Sequence, residues 1–194
     1  MVLICDNEYE KSGHILRNEL LRQFIPCAVG INTELLSHAL AVVVFDLYYT
    51  SDVLSDIDPE IILFADKEAL LDPLRKKGEL KRITSRVEDV FLIKYGFDPY
   101  TVSSGTVSDT HDFTVYSGRR FGFPHVEKLM IRFLLLTRES YAKASVISKY
   151  CLKSDSSDGA VTVHVNKINL RVSRCAPIKL ISSKRLSGYY ISRR

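Results

Sequence analysis

The 194-residue chain carries 27 Lys and Arg against 23 Asp and Glu, a formal net charge of +4, and 46% of it is hydrophobic. This is ordinary for a soluble protein long enough for two small cores, and no apolar run approaches the ~20 residues of a membrane span. The four cysteines, Cys5, Cys27, Cys151 and Cys175, show no Cys-x-x-Cys spacing, which argues against zinc, and without a basic leader before Val2 a cytoplasmic location is expected.

In chain order, Val2 to Cys5 reads as a strand and Glu8 to Phe24 as a helix with Ile15, Leu16, Leu20 and Leu21 inward. Ala28 to Ile31 is a second strand, the wholly apolar Leu40 to Phe45 a third, and Ile61 to Phe64 a fourth. Lys67 to Lys77 is predicted as a short helix despite Pro73, Leu80 to Thr84 as a fifth strand, and Val87 to Tyr95 as a closing helix. Apolar strands alternating with helices imply a parallel sheet covered on both faces. Asp6 and Asp46 follow the first and third strands, at the carboxyl edge where such a sheet holds its ligand. Between Ile31 and Leu40, and again between Asp46 and Ile61, there is little room for a full helix.

The second half opens on short strand-like runs, Tyr100 to Val102, Thr106-Val107 and Phe113 to Tyr116, and Ser117-Gly118-Arg119 then turns the chain into Arg120 to Phe123. Pro124 opens a helix over Val126 to Thr137 whose Leu129, Ile131, Phe133, Leu134 and Leu136 are apolar almost all round. A short helix capped by Ser145 covers Val146 to Leu152. Within Val161 to Arg174, Val161, Val165, Ile168 and Val172 form one helical stripe, while the other faces carry His164, Asn166, Lys167, Asn169, Arg171 and Arg174 and no acid. After Pro177, Ile178 to Ile181 and Gly188 to Ile191 flank a basic tip at Ser182-Ser183-Lys184-Arg185, a hairpin pattern.

An apolar spine under an acid-free polar face suits a DNA major groove, because Arg, Lys and Asn reach base edges while further cations neutralise phosphates. A basic amphipathic helix is also what a solvated surface element looks like, so charge distribution matters. Residues 1 to 96 hold 11 Lys and Arg against 16 acids, net −5, and residues 97 to 194 hold 16 against 7, net +9. The remaining histidines, His14, His38, His111 and His125, lack ligand-spaced neighbours, and there is no Gly-x-Ser-x-Gly elbow. Neither an enzyme nor a bound cofactor or metal is expected.

The order of strands, buried helix, short helix, basic helix and hairpin resembles the winged helix-turn-helix effector domain of OmpR/PhoB-type response regulators over roughly Phe97 to Arg194. Tyr116-Ser117-Gly118-Arg119-Arg120-Phe121-Gly122-Phe123-Pro124 is similar to the hairpin before that family's first helix, Val161-Thr162-Val163-His164-Val165 to its Val-Asp-Val-His-Ile, and Gly188-Tyr189 to its closing Gly-Tyr. The resemblance implies base contacts at Val163, Asn166 and Lys167, backbone contacts at His164 and Asn169, and a minor-groove contact at Arg185; the neighbouring cations Arg171, Arg174 and Lys184 join the expected DNA-binding set. The family carries arginines where Asn166, Lys167 and Asn169 stand, and a glycine at Leu186, where a positive φ is needed.

The first half, residues 1 to 96, resembles the preceding receiver domain, a flavodoxin-like α/β sheet, in shortened form. Leu3-Ile4-Cys5-Asp6-Asn7-Glu8 is similar to the metal-binding acidic turn and Val43-Val44-Phe45-Asp46-Leu47 to the strand ending in the phosphorylated Asp. Asn7 replaces a paired acid, Ala65 a hydroxyl residue, and Thr84 or Ser85 the family's lysine. Mg²⁺-assisted phosphorylation needs those groups, so the resemblance implies a pseudo-receiver in which Asp46 is the candidate phosphoacceptor and Asp6 a metal ligand only if the receiver works. The resulting expectation is a homodimeric, double-stranded-DNA-binding transcriptional regulator, with RNA polymerase as a further contact and no membrane association. Dimerisation is expected through a helix-strand-helix edge from Lys67 to Tyr95, whose charges offer intersubunit ion pairs. Two alternatives stay open: a protein-interaction module, and a conventional regulator switched through Asp46.

Overall fold

The computed structural model describes residues 2–5, 10–30, 32–45, 62–95, 102–104, 106–110, 112–137, 141–152, 157–175 and 179–192, with side chains left aside at 93–95, 102 and 104. The chain divides into two compact units, 1–99 and 100–194.

In the N-terminal unit, β1 (Val2–Cys5), α1 (Lys11–Arg22), β2 (Cys27–Val29), α2 (Thr33–Ser37), β3 (Ala41–Phe45), β4 (Ile62–Ala65), α3 (Lys67–Leu71) and α4 (Lys76–Tyr95) follow in order. The strands form one parallel sheet ordered β2-β1-β3-β4, and every residue of β1, β2 and β3 is buried. Such uninterrupted apolar strands require cover on both faces. α1 turns Leu16 and Leu20 inward, as its periodicity predicts, but Ile15 and Leu21 are only half-buried; the small Ser12 and Gly13 let it approach closely. Buried Arg17 donates its Nε–H to the carbonyl of Cys27 at 3.0 Å, tying α1 to the end of the sheet.

The fifth strand expected at Leu80 to Thr84 is absent: those residues lie inside α4, a single 20-residue helix. Ile83 and Thr84 favour a strand locally, but Ile83, Val87 and Phe91 recur every fourth residue and are fully buried, a helical stripe. The Thr84 hydroxyl donates back to the carbonyls of Leu80 and Lys81, both at 3.0 Å, a local bond that a helix accommodates. The helix predicted from Lys67 to Lys77 stops at Leu71 because Asp72, before Pro73, is held extended at φ −83°, ψ 118°. The predicted helix-strand-helix edge is therefore α3, a turn and one long helix.

The C-terminal unit begins with an antiparallel meander, β5 (Val102–Ser104), β6 (Val107–Asp109), β7 (Thr114–Tyr116) and β8 (Arg119–Phe121). Ser117 (φ 50°) and Gly118 (φ 74°) make the two-residue turn of the last hairpin. Three helices follow, α5 (His125–Leu136), α6 (Ala144–Cys151) and α7 (Asp158–Ser173), and then the hairpin β9 (Ile181–Lys184) and β10 (Gly188–Ile191). α6 starts before the expected cap: Ser145 is its second residue, and Lys143 precedes it without a side-chain cap. α5 is buried almost all round, and its Phe133 ring packs 5.1 Å from that of Tyr150 on α6.

The hairpin register differs from the predicted one. Strand β9 runs over what reads as the tip, pairing Ile181 with Ile191 and Lys184 with Gly188, and the turn falls at Arg185 to Ser187. The cause is burial: Ile181 and Ile191 face the core together, which leaves Lys184 and Arg185 exposed at the end. Gly188, at φ 115°, is required because a Cβ there would collide with the carbonyl of Ala142, which pairs with Tyr189 in an isolated bridge.

Candidate nucleic-acid interface

α7 buries Val161, Val165, Ile168 and Val172, the stripe read from the sequence, and so presents the opposite face outward. Thr162, Val163, Asn166, Lys167, Leu170, Arg171 and Arg174 are all exposed, Val163 by 51% and Leu170 by 62%. The first-turn Asp158 is the helix's single acid, and Lys167, Arg171 and Arg174 lie about two and a half turns or more beyond it. Thr162, Asn166, Leu170 and Arg174 recur every fourth residue and share a stripe. Thr162 and Leu170 were not singled out from sequence, though stepping by four from Asn166 reaches both.

Two contacts pin the hairpin to this helix. The Asn169 amide donates to the carbonyl of Ile181 at 2.7 Å and accepts the Ile181 N–H at 3.0 Å. The hydroxyls of Thr162 and Tyr189 lie 2.9 Å apart. Asn169 therefore acts on the hairpin's backbone, and its amide is not turned to the surface where a nucleic-acid backbone contact was expected. His164, also expected to reach outward, is half-buried, with Nδ1 3.9 Å from Oε1 of buried Glu127, a pairing that carries charge on both sides only when the imidazole is protonated. Arg171 donates to the carbonyl of Gly122 at 2.8 Å and lies 5.7 Å over the Phe123 ring, so the loop before α5 orients it.

Lys184 and Arg185 are exposed at the hairpin end. The ammonium of Lys184 sits 5.2 Å over the Tyr141 ring, which meets Tyr190 edge-on at 5.1 Å. Leu186 adopts φ 64° and is 95% exposed, so the turn does impose a left-handed backbone on a residue other than glycine. Of the nine cited positions, Val163, Asn166, Lys167, Arg171, Arg174, Lys184 and Arg185 lie on exposed surface, while His164 and Asn169 turn inward.

Behind this surface α5 carries a buried charge cluster. Asp109 accepts from the Thr114 hydroxyl at 2.5 Å, with Lys128 and Arg132 at 3.6 Å. Burial pushes the Asp109 carboxyl up, against the Thr114 bond and both cations, and pushes the Lys128 ammonium down, against the pull of Asp109. The cluster fastens β6 and β7 to α5.

In the N-terminal unit Asp6, Asn7 and Asp46 lie outside the described residues. Ala65, buried at the end of β4, offers no hydroxyl there, and that of Thr84 is committed within α4. The carboxyl edge of β4 holds an ion-pair network instead. Asp66 caps α3 by accepting from the Ala69 N–H at 2.9 Å and pairs with Arg75 at 2.6 Å. Glu79 accepts the Asp66 N–H at 2.7 Å and holds Arg82 by two bonds of 2.8 and 2.6 Å, and Arg82 also donates to the Phe64 carbonyl at 2.7 Å. Arg75, Glu79 and Arg82, three of the charges on the Lys67 to Tyr95 edge, are thus paired within one unit. Burial raises the thiols of Cys5 and Cys27 to about 11 and about 12, which makes them inert. Among the described residues no group of three or more His, Cys, Asp or Glu could hold a metal, and no helix is long and apolar enough to cross a membrane.

No protein-family model and no curated protein matches the chain. Solved structures similar to it include the response regulator DrrB, an OmpR/PhoB homologue from Thermotoga maritima, at 13% identity and a TM-score of 0.45, covering 98% of each chain. A streptococcal redox sensor described as evolved from two-component response regulators is similar at 9% identity and a TM-score of 0.43, covering 100% of this chain and 99% of that one. A RitR mutant gives 10% identity and the same score and coverage.

Proposed function

We propose that the C-terminal unit is a winged helix that binds double-stranded DNA, with α7 as the recognition helix and β9-β10 as the wing, and that the chain is a transcriptional regulator of response-regulator type. The observation that carries this reading is the exposed face of α7. Asn166 and Lys167 suit hydrogen bonding at base edges, and Val163 and Leu170 suit thymine methyl groups. Arg171, Arg174, Lys184 and Arg185 suit the flanking phosphates or the minor groove.

The N-terminal unit is a shortened pseudo-receiver that pairs two copies of the chain without aspartyl phosphate. The pairing surface includes the α3–α4 segment, where Leu74 and Leu92 are 92% and 60% exposed. Ala65 stands where the resemblance calls for a hydroxyl and Thr84 or Ser85 where it calls for a lysine, so a phosphoryl group on Asp46 would have no lever to pull. The protein works in the cytoplasm without catalysing a reaction.

Selection of bound fragments from random DNA, followed by binding measured across salt concentrations, tests the assignment. DNA binding predicts a steep loss of affinity with salt, with half-sites about one helical turn apart. Exposed Val163 and Leu170 beside the cations Lys167, Arg171 and Arg174 also suit an acidic protein partner, and that reading predicts no recovered DNA motif and a shallow salt slope for DNA.

A further inference from the structure

The N-terminal unit contains a groove that neither the sheet nor the α7 surface explains. It is open to solvent, has a volume of about 440 Å³ between α1 and the start of α4, and is lined by Lys76, Lys77, Lys81, Thr84, Gln23 and Glu19. Its volume falls within the range of about 300–1,000 Å³ typical of small-molecule sites. Pro73 and Leu80 add an apolar wall.

The charge is one-sided. Among the described residues Lys76, Lys77 and Lys81 enter no ion pair. Lys77 and Lys81, four apart on α4, lie on one face and repel each other. Glu79, the acid closest to them on the helix, is turned away and held by Arg82 and the Asp66 N–H. The groove's own acid, Glu19, lies 3.7 Å from Arg22 and accepts from the Gln23 amide at 3.1 Å, so its charge is already partly answered. Among the described lining residues, three lysines outside any ion pair thus share one concavity with a single acid.

We propose that this groove binds a small phosphate-bearing anion of about the size of a sugar phosphate. Lysine is a compact charge with three donors on a flexible stem, and it meets a phosphate without the planar geometry that arginine demands. Among the described residues none that lines the groove is aromatic, so none of them stacks a nucleobase, which favours a sugar phosphate over a nucleotide. Duplex DNA fits poorly, because the charges sit inside a concave site that also contains Glu19. The groove uses no residue of α7 or the hairpin, so its test is independent of DNA binding.

The full-length protein is titrated with ribose 5-phosphate, inorganic phosphate and neutral ribose at constant ionic strength, by calorimetry and by amide NMR of residues 76–84. Saturable binding of ribose 5-phosphate is expected, with inorganic phosphate competing and ribose silent. Lys77→Gln/Lys81→Gln should weaken it by about tenfold or more, while Lys11→Gln/Arg86→Gln, which removes the same charge from exposed positions outside the groove, should change it by less than about twofold. All four positions are exposed, so both variants should keep the wild-type melting temperature. Equal weakening in both double variants, or no saturable phosphate binding up to about 10 mM, overturns the proposal. Loss of duplex DNA affinity in Lys77→Gln/Lys81→Gln with no phosphate effect also overturns it, and assigns the lysines to a nucleic-acid surface.

Discussion

Asn166 and Asn169 stand three residues apart on the same helix, and their replacement by alanine should have opposite signatures. The Asn169 amide makes two hydrogen bonds to Ile181, at 2.7 and 3.0 Å, and Ile181 is 1% exposed. Asn169→Ala leaves a buried N–H and a buried C=O without their partner, at about 1–3 kcal/mol each, so the C-terminal unit should lose about 2–4 kcal/mol, allowing for some relaxation of the hairpin. For a unit of this size that lowers Tm by on the order of 10 °C or more. Asn166 is exposed on the presented face, and Asn166→Ala should leave Tm within about 2 °C while weakening operator binding by about 1–3 kcal/mol. Thermal melts followed by circular dichroism report the loss, and hydrogen exchange at the Ile181 amide locates it in the hairpin. Asn169→Asp keeps the acceptor for the Ile181 N–H but not the donor, so it should fall between wild type and alanine. A stable Asn169→Ala protein with weakened DNA binding would refute the anchoring role and restore this residue as a nucleic-acid contact.

Lys167→Ala and Arg185→Ala should each cost about 1–3 kcal/mol in DNA binding with the fold intact; unchanged affinity in both, by fluorescence anisotropy, removes this face from the interface. Asp46→Ala should leave DNA affinity and dimerisation within about threefold, and a small phosphodonor with Mg²⁺ should change nothing; a tenfold donor-dependent gain in wild type alone would show a working switch. Asp66 and Glu79 are held below their ordinary values of 3.8 and 4.5, Asp66 first by the Ala69 N–H and Glu79 first by Arg82, both against burial. Depressed carboxylates contribute stability above their unfolded values and lose it as pH falls through the folded ones, so the N-terminal unit should weaken below about pH 4.5. Arg82→Gln should flatten that acid limb in a pH series of urea melts.

The orientation of α7 was legible because a helix buried on one side must repeat its apolar residues, and four valine and isoleucine side chains do so without interruption. What stood on the other faces was less legible. Asn169 and His164 flank the buried stripe, where a polar side chain reaches either inward or outward, and only the hairpin backbone and Glu127 decide. In the N-terminal unit the run Leu80 to Thr84 looked extended because five residues are too few to separate a strand from a helical turn; the continuation through Val87 and Phe91 carries the helical period. The hairpin register slipped for a related reason: the buried Ile181 pairs with Ile191, a contact between residues ten apart that local turn chemistry does not specify. The groove beside α4 was invisible in sequence, since it joins α1 to residues more than fifty positions further on.

Among the described strands β4 forms one edge of the sheet, as β2 forms the other, and Phe64 on β4 is 53% exposed. An open strand with an aromatic side chain is a template on which another chain can add a strand, the route by which soluble sheets aggregate. Arg82 stands at that border, its guanidinium bonded to the Phe64 carbonyl and anchored by Glu79. A charged side chain occupying an outward carbonyl removes one rung of the ladder an incoming strand needs and places a cation in its path. The same salt bridge that fixes α4 to the sheet thus also sets a charge at its margin.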